Sequence, residues 1–362
     1  MKNNQHYLSH SSIDVYFKQS KEDFVVTEIP LYEFTGDGEH LIIKFRKKDL
    51  TTWAALEIFA SYVGCKTRDI GYAGLKDKNA MTIQHISIHK QYEDKLKKFE
   101  HNQIKILETT YHNNKIKIGH LKGNNFFIRL KRVLTKDVRK LESVLGSIAT
   151  HGIANYFGFQ RFGIDGDNYK KGEAIIAGTL KERNKKLRTM YLNAYQSYGF
   201  NKWLSRRIEI SKLIETFEPK QLEEMLNIPL EELKLMKSQE HPFKIMQGEL
   251  MSHYPFGRIF CAEDLVSEAE KFNLRDRVPT GLLTGKKTKK PEATALKFEE
   301  ELIETSNFLD GARRFAWIFP SDVNSEYKEE KNHFELSFTL PKGSYATEVI
   351  REIGRASCRE RV

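Results

Sequence analysis

The chain changes its periodicity twice, and this constrains its fold more than any other feature. From residue 22 to about 133, short apolar segments alternate with glycine-bearing turns, as strands do. From 170 to 240 the alternation is lost, and long charged stretches such as "PLEELKLMKSQE" read as helices. Near 313 β-type segments return as "RRFAWIFP" and "HFELSFTLPKG". A β-rich piece, a mainly helical middle and a β-rich return predict one discontinuous domain carrying an insertion. A length of 362 residues suits that arrangement better than a single core.

Individual elements follow from the pattern. "EDFVVTEIP" (22–30) predicts a strand stopped by Pro30, and "EHLIIKFRK" (39–47) a second beyond the turn "TGDGE". "TTWAALEIFASYVG" (51–64) predicts a helix with Trp53, Leu56, Phe59, Ala60 and Val63 at three-four spacing, a Thr cap and a terminal Gly64. Further strands are expected at "MTIQHISI" (81–88), "NQIKILETTY", "NKIKIGHL" and "NNFFIRLKRV" (124–133). A helix is expected at 136–151, with Val138, Leu141, Leu145 and Ile148 on its apolar face and Gly152 after it.

Charge narrows the partners. The net charge is +10, which fits a polyanion such as nucleic acid. Three separated cysteines form neither a zinc pattern nor a disulfide framework and favour a reducing cytoplasm. The twelve histidines fall into no metal spacing, so no metal is expected. The N-terminus lacks an apolar core like that of a signal peptide, and no run reaches the ~18 apolar residues of a membrane span. "RASCRERV" (355–362) continues no pattern and is set aside as a tail, either disordered or artefactual.

The chemistry concentrates in "IGYAGLKDKNAMTIQHISI" (70–88). A Gly/Asp/Asn/Lys string of this kind is ordinary turn material. Three features suggest more. Gly71 and Gly74 permit a tight backbone and close approach by another molecule. Lys76 and Lys78 suit phosphate contact. Asp77 stands between them, a carboxylate that can act as a nucleophile without activation by a neighbouring base.

"AGLKDKNAMTIQ" closely resembles the catalytic motif of the TruD family of tRNA pseudouridine synthases. Other segments resemble that family's motifs in the same order. These are "FKQSKEDFVVTE" (17–28), "LKGNNFFIRL" (121–130), "IANYFGFQRFG" (153–163), "VPTGLLTGKK" (278–287) and "FTLPKGSYATEVIREI" (338–353). The resemblance implies an α+β protein: a mixed, largely antiparallel β-sheet core flanked by helices, with a large mainly helical insertion domain. The expected boundaries are 1–154 and 306–354 for the catalytic domain and 155–305 for the insertion.

The resemblance also implies an intramolecular isomerisation of uridine to pseudouridine in tRNA, at position 13 of the D-arm, with no cofactor. The implied partner is the D-arm and elbow region of tRNA, met by a monomeric cytoplasmic enzyme. Asp77 becomes the catalytic carboxylate, attacking either the ribose C1′ or the uracil ring. Lys18 falls at the basic residue paired with it, and Asn124 and Phe126 at the polar and aromatic neighbours of the target base. One of Phe126 and Phe127 must face the core, and alternation does not reveal which. Phe126 is assigned to the base and Phe127 to the core. Arg161 is expected to contact phosphate, as is the run of Lys286, Lys287, Lys289 and Lys290.

Three rival readings exist. "GLLTGKKT" (281–288) suggests a P-loop but fails its spacing by one residue. A glycosidase would need a second carboxylate with a motif of its own, and none is found. A non-catalytic basic RNA-binding or RNA-folding protein remains the alternative, although a pure binder gains nothing from a carboxylate facing RNA.

Overall fold

A computed structural model describes residues 4–17, 20–300 and 309–354. Lys18 and the tail at 355–362 lie outside the described residues.

The chain builds one large sheet, one small sheet and a two-stranded ladder. The large sheet contains β1 (Phe24–Pro30), β2 (His40–Lys47), β3 (Gly71–Tyr72), β4 (Met81–His89), β5 (Ile104–His112) and β6 (Leu121–Lys131). The ladder joins β7 (Ile153–Ala154) to a partner described below. The small sheet contains β8 (Leu250–His253), β9 (Ile259–Cys261), β10 (Arg277–Leu283) and β11 (Ala312–Phe315). The chain then adds β12 (Trp317–Ile318), which pairs with β7, and returns to the large sheet as β13 (Ser321–Lys328) and β14 (His333–Pro341). The large-sheet order is β13-β14-β6-β1-β4-β2-β5, with β3 beside β4. Among the described strands of that sheet, only β1 and β4 run parallel.

Most predicted elements appear where the pattern puts them, and four differ. "NKIKIGHL" supplies no strand before Leu121. "RRFAWIFP" splits: Ala312–Phe315 joins the small sheet, while Trp317–Ile318 pairs with Ile153–Ala154. The middle of the chain is helical at Asn168–Ile176, Lys185–Thr216, Pro219–Leu226 and Leu230–Ser238, yet it also holds three strands of the small sheet. The polar strand Ser321–Lys328 shows no alternating apolar residues and gives no sequence signal.

Register explains where the site sits. Thr82 pairs with Val26, Val26 with Phe126, and Phe126 with Phe338, so one row crosses β4, β1, β6 and β14 on a single face. Over one end of that face lies helix α1 (Thr52–Val63), burying Leu56, Phe59 and Val63 against Ile43, Phe45, Ile86 and Ile88. Over the other end lie the helices Thr135–His151 and Ala346–Gly354, packed on Ile128, Leu130, Leu336 and Phe338. The two groups of helices part above β1 and β4, and the cleft opens in that gap.

Helix α1 is bounded as predicted. Thr51 accepts the Ala54 amide at 3.1 Å, and Gly64 takes a left-handed cap with φ 79°. Trp53 departs from the expectation of an apolar face: it is 50% exposed, because the first turn of α1 overhangs the cleft instead of the sheet.

Candidate active site

The loop between β3 and β4 carries Leu75, Lys76, Asp77 and Lys78 over the gap. Buried hydrogen bonds hang it in place. The Lys76 amide donates to Thr52 Oγ1 at 2.8 Å, and Thr52 Oγ1 donates to Gln84 Oε1 at 3.2 Å. Lys47, fully buried at the end of β2, donates from Nζ to the carbonyl of Asp77 at 3.1 Å and to that of Leu50 at 2.6 Å. Burial pushes the Lys47 ammonium down to about 8, opposed by the nearby Asp77 carboxylate.

Lys76 is tied down as well. Its Nζ lies 2.8 Å from Glu28 Oε2, and both side chains are buried. Burial raises the Glu28 carboxyl, but a hydrogen bond with His85 and the ion pair with Lys76 outweigh it and hold the group below the usual carboxylate range. The sequence predicts a free cation at Lys76 that meets phosphate; its ammonium is instead engaged within the protein. Lys78 is exposed and has no carboxylate partner among the described residues. Gly71 also differs from expectation. A Cβ there would lie 2.3 Å from Ser87 Oγ and 2.4 Å from the Ile116 carbonyl, so the close approach it permits is made by this chain's own backbone.

Asp77 is exposed at the mouth of a cleft of about 200 Å³. Phe24, Val26 and Phe126 line its apolar side. Asn124 and Thr82 supply polar groups from β6 and β4, and Ser344 and Tyr345 supply others just before the helix Ala346–Gly354. Asn124 Oδ1, Thr82 Oγ1 and Ser344 Oγ are buried here without a hydrogen-bond partner. Buried polar atoms are nearly always satisfied, so three around one cleft mark a place for a polar ligand. Burial raises the Tyr345 phenol; Arg161 and Arg314 oppose that, and Asp77 adds to it.

Phe126 lies on the cleft face together with Asn124, two residues away. It is also part of the core, stacked on Phe24 at 6.1 Å and tilted against Phe338 at 5.7 Å. Phe127, expected in the core, lies half-buried on the opposite face beneath Arg129, 5.5 Å from its guanidinium. The expectation fails because the cleft and the core share one face of the sheet.

The remaining sequence candidates lie further off. Arg161 donates to Ser197 Oγ at 3.0 Å and covers the Phe157 ring at 5.4 Å; its neighbours Phe159 and Gln160 reach the cleft mouth instead. Gly158 makes room there, since a Cβ would lie 2.9 Å from the Tyr345 ring and 3.0 Å from Thr347 Oγ1. Lys286, Lys287, Lys289 and Lys290 are all exposed after β10, and none lines the cleft. Sequence reasoning missed Lys47, Thr82 and Ser344. Lys47 continues the inward series Ile43 and Phe45 of β2, a position where a lysine is unexpected, while Lys48 beyond it is half-buried.

Comparison with known proteins bears on this geometry. The family model "tRNA pseudouridine synthase D (TruD)" matches residues 2–183 and 176–353. The tRNA pseudouridine synthase D of Sulfurimonas denitrificans is 53% identical over 348 residues, covering 96% of this chain and 97% of that protein. The protein of the same name from Nitratiruptor sp. is 52% identical over 347 residues, covering 96% of each. A crystal structure from Methanosarcina mazei, provisionally given the same designation, superposes with a TM-score of 0.66 at 20% identity over 97% of this chain and 96% of its own, which shows the shared fold. With its motifs in order, its sheet in the matching fold and a family model spanning both halves, the chain belongs to the TruD family of tRNA pseudouridine synthases.

Proposed function

We propose that this enzyme, an isomerase of the tRNA pseudouridine synthase family, converts uridine 13 in the D-arm of tRNA to pseudouridine, with Asp77 as the catalytic carboxylate. In the reaction the N1–C1′ bond breaks, the base turns, and C5 joins C1′; C5 loses a proton and N1 gains one. Oxidation state is unchanged and nothing is transferred between molecules, so the chain's own residues suffice. Asp77 attacks either C1′ or the uracil ring, and its carboxylate is then placed to help remove the C5 proton.

One observation carries this reading: an exposed aspartate at the mouth of a cleft that has an aromatic wall and three polar atoms lacking partners. A uracil offers a flat face to Phe126, and two carbonyls and an N–H to Asn124, Thr82 and Ser344. Reaching it requires extrusion of the nucleotide, at a cost of a few kcal/mol. Stacking of ~1–3 kcal/mol per base offsets much of that. Lys78, Arg161 and the lysines at 286, 287, 289 and 290 are the proposed phosphate contacts, the last reaching toward the tRNA elbow. Asn124 supports the base, and Lys18, from its place in the motif, the carboxylate.

No described helix is long and apolar enough to cross a membrane. Cytoplasmic action follows from the substrate class. The test is tritium release from tRNA labelled at uridine C5, followed by mapping of the converted nucleotide. Release mapped to position 13 is expected. Tight tRNA binding with no release would favour the non-catalytic RNA-binding alternative.

A further inference from the structure

The cleft that holds Asp77 is continuous with a second, larger one. Leu75, Lys76, Asp77, Gln160 and Thr347 line both. The outer cleft encloses about 690 Å³ against about 200 Å³ for the inner one, more than the target base needs. Its rim is unusually apolar for a solvent-facing surface beside a catalytic carboxylate. Trp53 is 50% exposed, Leu75 60% and Ile164 85%, and they come from three separate segments. Apolar side chains gathered on the rim of a cleft mark a binding site more often than an accident of composition.

The occupant is defined by what surrounds it. Lys21, Lys76 and Lys78 line the outer cleft, and Asp77 is its one acid among the described residues; Lys21 is paired with Asp49 at 2.9 Å and Lys76 with Glu28 at 2.8 Å, which leaves Lys78 as the lining lysine with no carboxylate partner among them. That charge excludes an anionic peptide less than it excludes a cationic one, and it suits a phosphodiester. The rim itself suits a flat apolar face. A nucleotide has both. Since the two clefts merge at Asp77, the nucleotide is one covalently next to the uridine in the inner cleft.

We propose that Trp53 and Leu75 form a second base-binding subsite, in which a nucleobase flanking the target uridine stacks on the Trp53 indole. The proposal rests on the reading of the inner cleft as the uridine site. The Trp53 ring is already oriented by a T-shaped contact with Tyr72, centroids 5.6 Å apart at 69°, and half of the residue remains exposed. Two bases leaving the stack together also explains why the mouth of the cleft exceeds its interior. The neighbour must go somewhere when the target turns out, and an aromatic platform returns stacking that the D-arm has lost.

A cycle between the ring and the base tests this. Binding of synthetic tRNA is measured with the Asp77→Asn protein, so that turnover does not intrude. The protein carries Trp53, Trp53→Phe or Trp53→Ala. The tRNA is intact or has an abasic site immediately 5′ or 3′ of the target uridine. Stacking of this kind predicts that Trp53→Ala weakens binding of intact tRNA about 5- to 150-fold, with Trp53→Phe recovering most of it. One of the two abasic tRNAs should bind Trp53-bearing protein correspondingly weakly. With Trp53→Ala the same abasic site should cost less than about twofold more, because the ring that the base would stack on is already gone. The melting temperature should hold, since Trp53 is exposed and Ala favours a helix. Independent, multiplying losses for both abasic positions, or no loss with Trp53→Ala, would overturn the subsite. These outcomes are separate from conversion. Coupling without tritium release by the unmodified enzyme would sink the isomerase reading alone, and release without coupling would sink the subsite alone.

Discussion

Two regions of the molecule bury charge, and they do it differently. In the mainly helical middle of the chain, Arg207 and Glu249 are almost fully buried and paired with each other, and of their side-chain nitrogens and oxygens only Arg207 Nε lacks a partner. Arg207 donates to both Glu249 oxygens at 2.9 and 2.7 Å and to the Lys244 carbonyl at 2.9 Å, while Glu249 also accepts the Met246 amide at 3.1 Å. At the cleft, Lys76 and Glu28 are closed in the same way, but one residue further on Asp77 stands open to solvent, above three polar atoms with no partner. Both Glu249 oxygens and both terminal guanidinium nitrogens are engaged, and the one unmet atom, Arg207 Nε, borders no part of the cleft. An open carboxylate beside a satisfied pair is held firmly and left available to a ligand.

The largest effect should come from Asp77→Asn. It is nearly isosteric and removes only charge and nucleophile. Turnover in the tritium assay should fall below detection while tRNA affinity changes little. Measurable multiple turnover would break the contrast at its centre.

Next should be Arg207→Met, on the opposite side of the comparison. It strands a buried Glu249, and losing one partner of such a pair costs about 3–5 kcal/mol. Denaturant unfolding should show this loss, and single-turnover rates per folded molecule should stay near normal. A slowed chemical step with unchanged stability would mean that the pair serves the reaction.

Lys47 sharpens the comparison, because it belongs to both kinds. Its ammonium is charged below about 8 and neutral above, so the charge it lends to the Asp77 loop disappears as pH rises through that value. Single-turnover rates should therefore fall through about pH 8, and Lys47→Met should be slower at neutral pH and show no such inflection. The sign for stability is opposite. The unfolded chain holds the proton up to the ordinary lysine value of 10.5, so the buried charge is a cost that is relieved as pH rises from about 8 toward it.

Phe126→Leu should act on both properties, because the ring is core and cleft wall together. A loss of about 1 kcal/mol in stability is expected, alongside a slower single-turnover rate at saturating tRNA. Phe127→Leu, on the outer face, should change neither by much. A sharp drop in melting temperature for Phe127→Leu alone would reverse the facing of the strand.

The smallest effect should belong to the lysine run. Replacing Lys286, Lys287, Lys289 and Lys290 with Ala should flatten the salt dependence of binding by about 0.7–0.9 in log–log slope for each phosphate no longer neutralised. Saturated single-turnover rates should not move, and an unchanged slope would mean that the run is merely solvated.

What was legible in the sequence divides along the same line. Local patterns spoke clearly: Thr51 and Gly64 bound α1, and the alternating strands of the large sheet appear near their expected limits. Relations between distant segments did not. "VPTGLL" carries Pro279 and Gly281, residues that weaken a strand pattern, yet it forms an inner strand of the small sheet. Gly281 is required there by the rings of Trp203 and Phe200, which a Cβ would strike at 2.2 and 2.8 Å. Asp77 was legible because a motif surrounds it. Thr82 and Ser344 stand inside quoted motifs, but only register and the returning segment bring them to the cleft, and Lys47 reaches the Asp77 loop from the end of β2 with no motif of its own. Trp53 satisfied the three-four rule and still faced outward, since that rule cannot say where the sheet beneath a helix ends.

The floor of the cleft takes Thr82, Val26 and Phe126 from the first part of the chain, Phe126 backed by Phe338, and the facing wall comes from Ser344 to Thr347. During synthesis, therefore, the enzyme has its carboxylate long before it has a pocket. At about 5–20 residues per second, many seconds separate the emergence of Asp77 from that of the segment that encloses it. Throughout that time the Asp77 loop lacks the facing wall of its cleft. The large sheet, divided between the two ends of the chain, thus completes the cleft only in the last moments of translation.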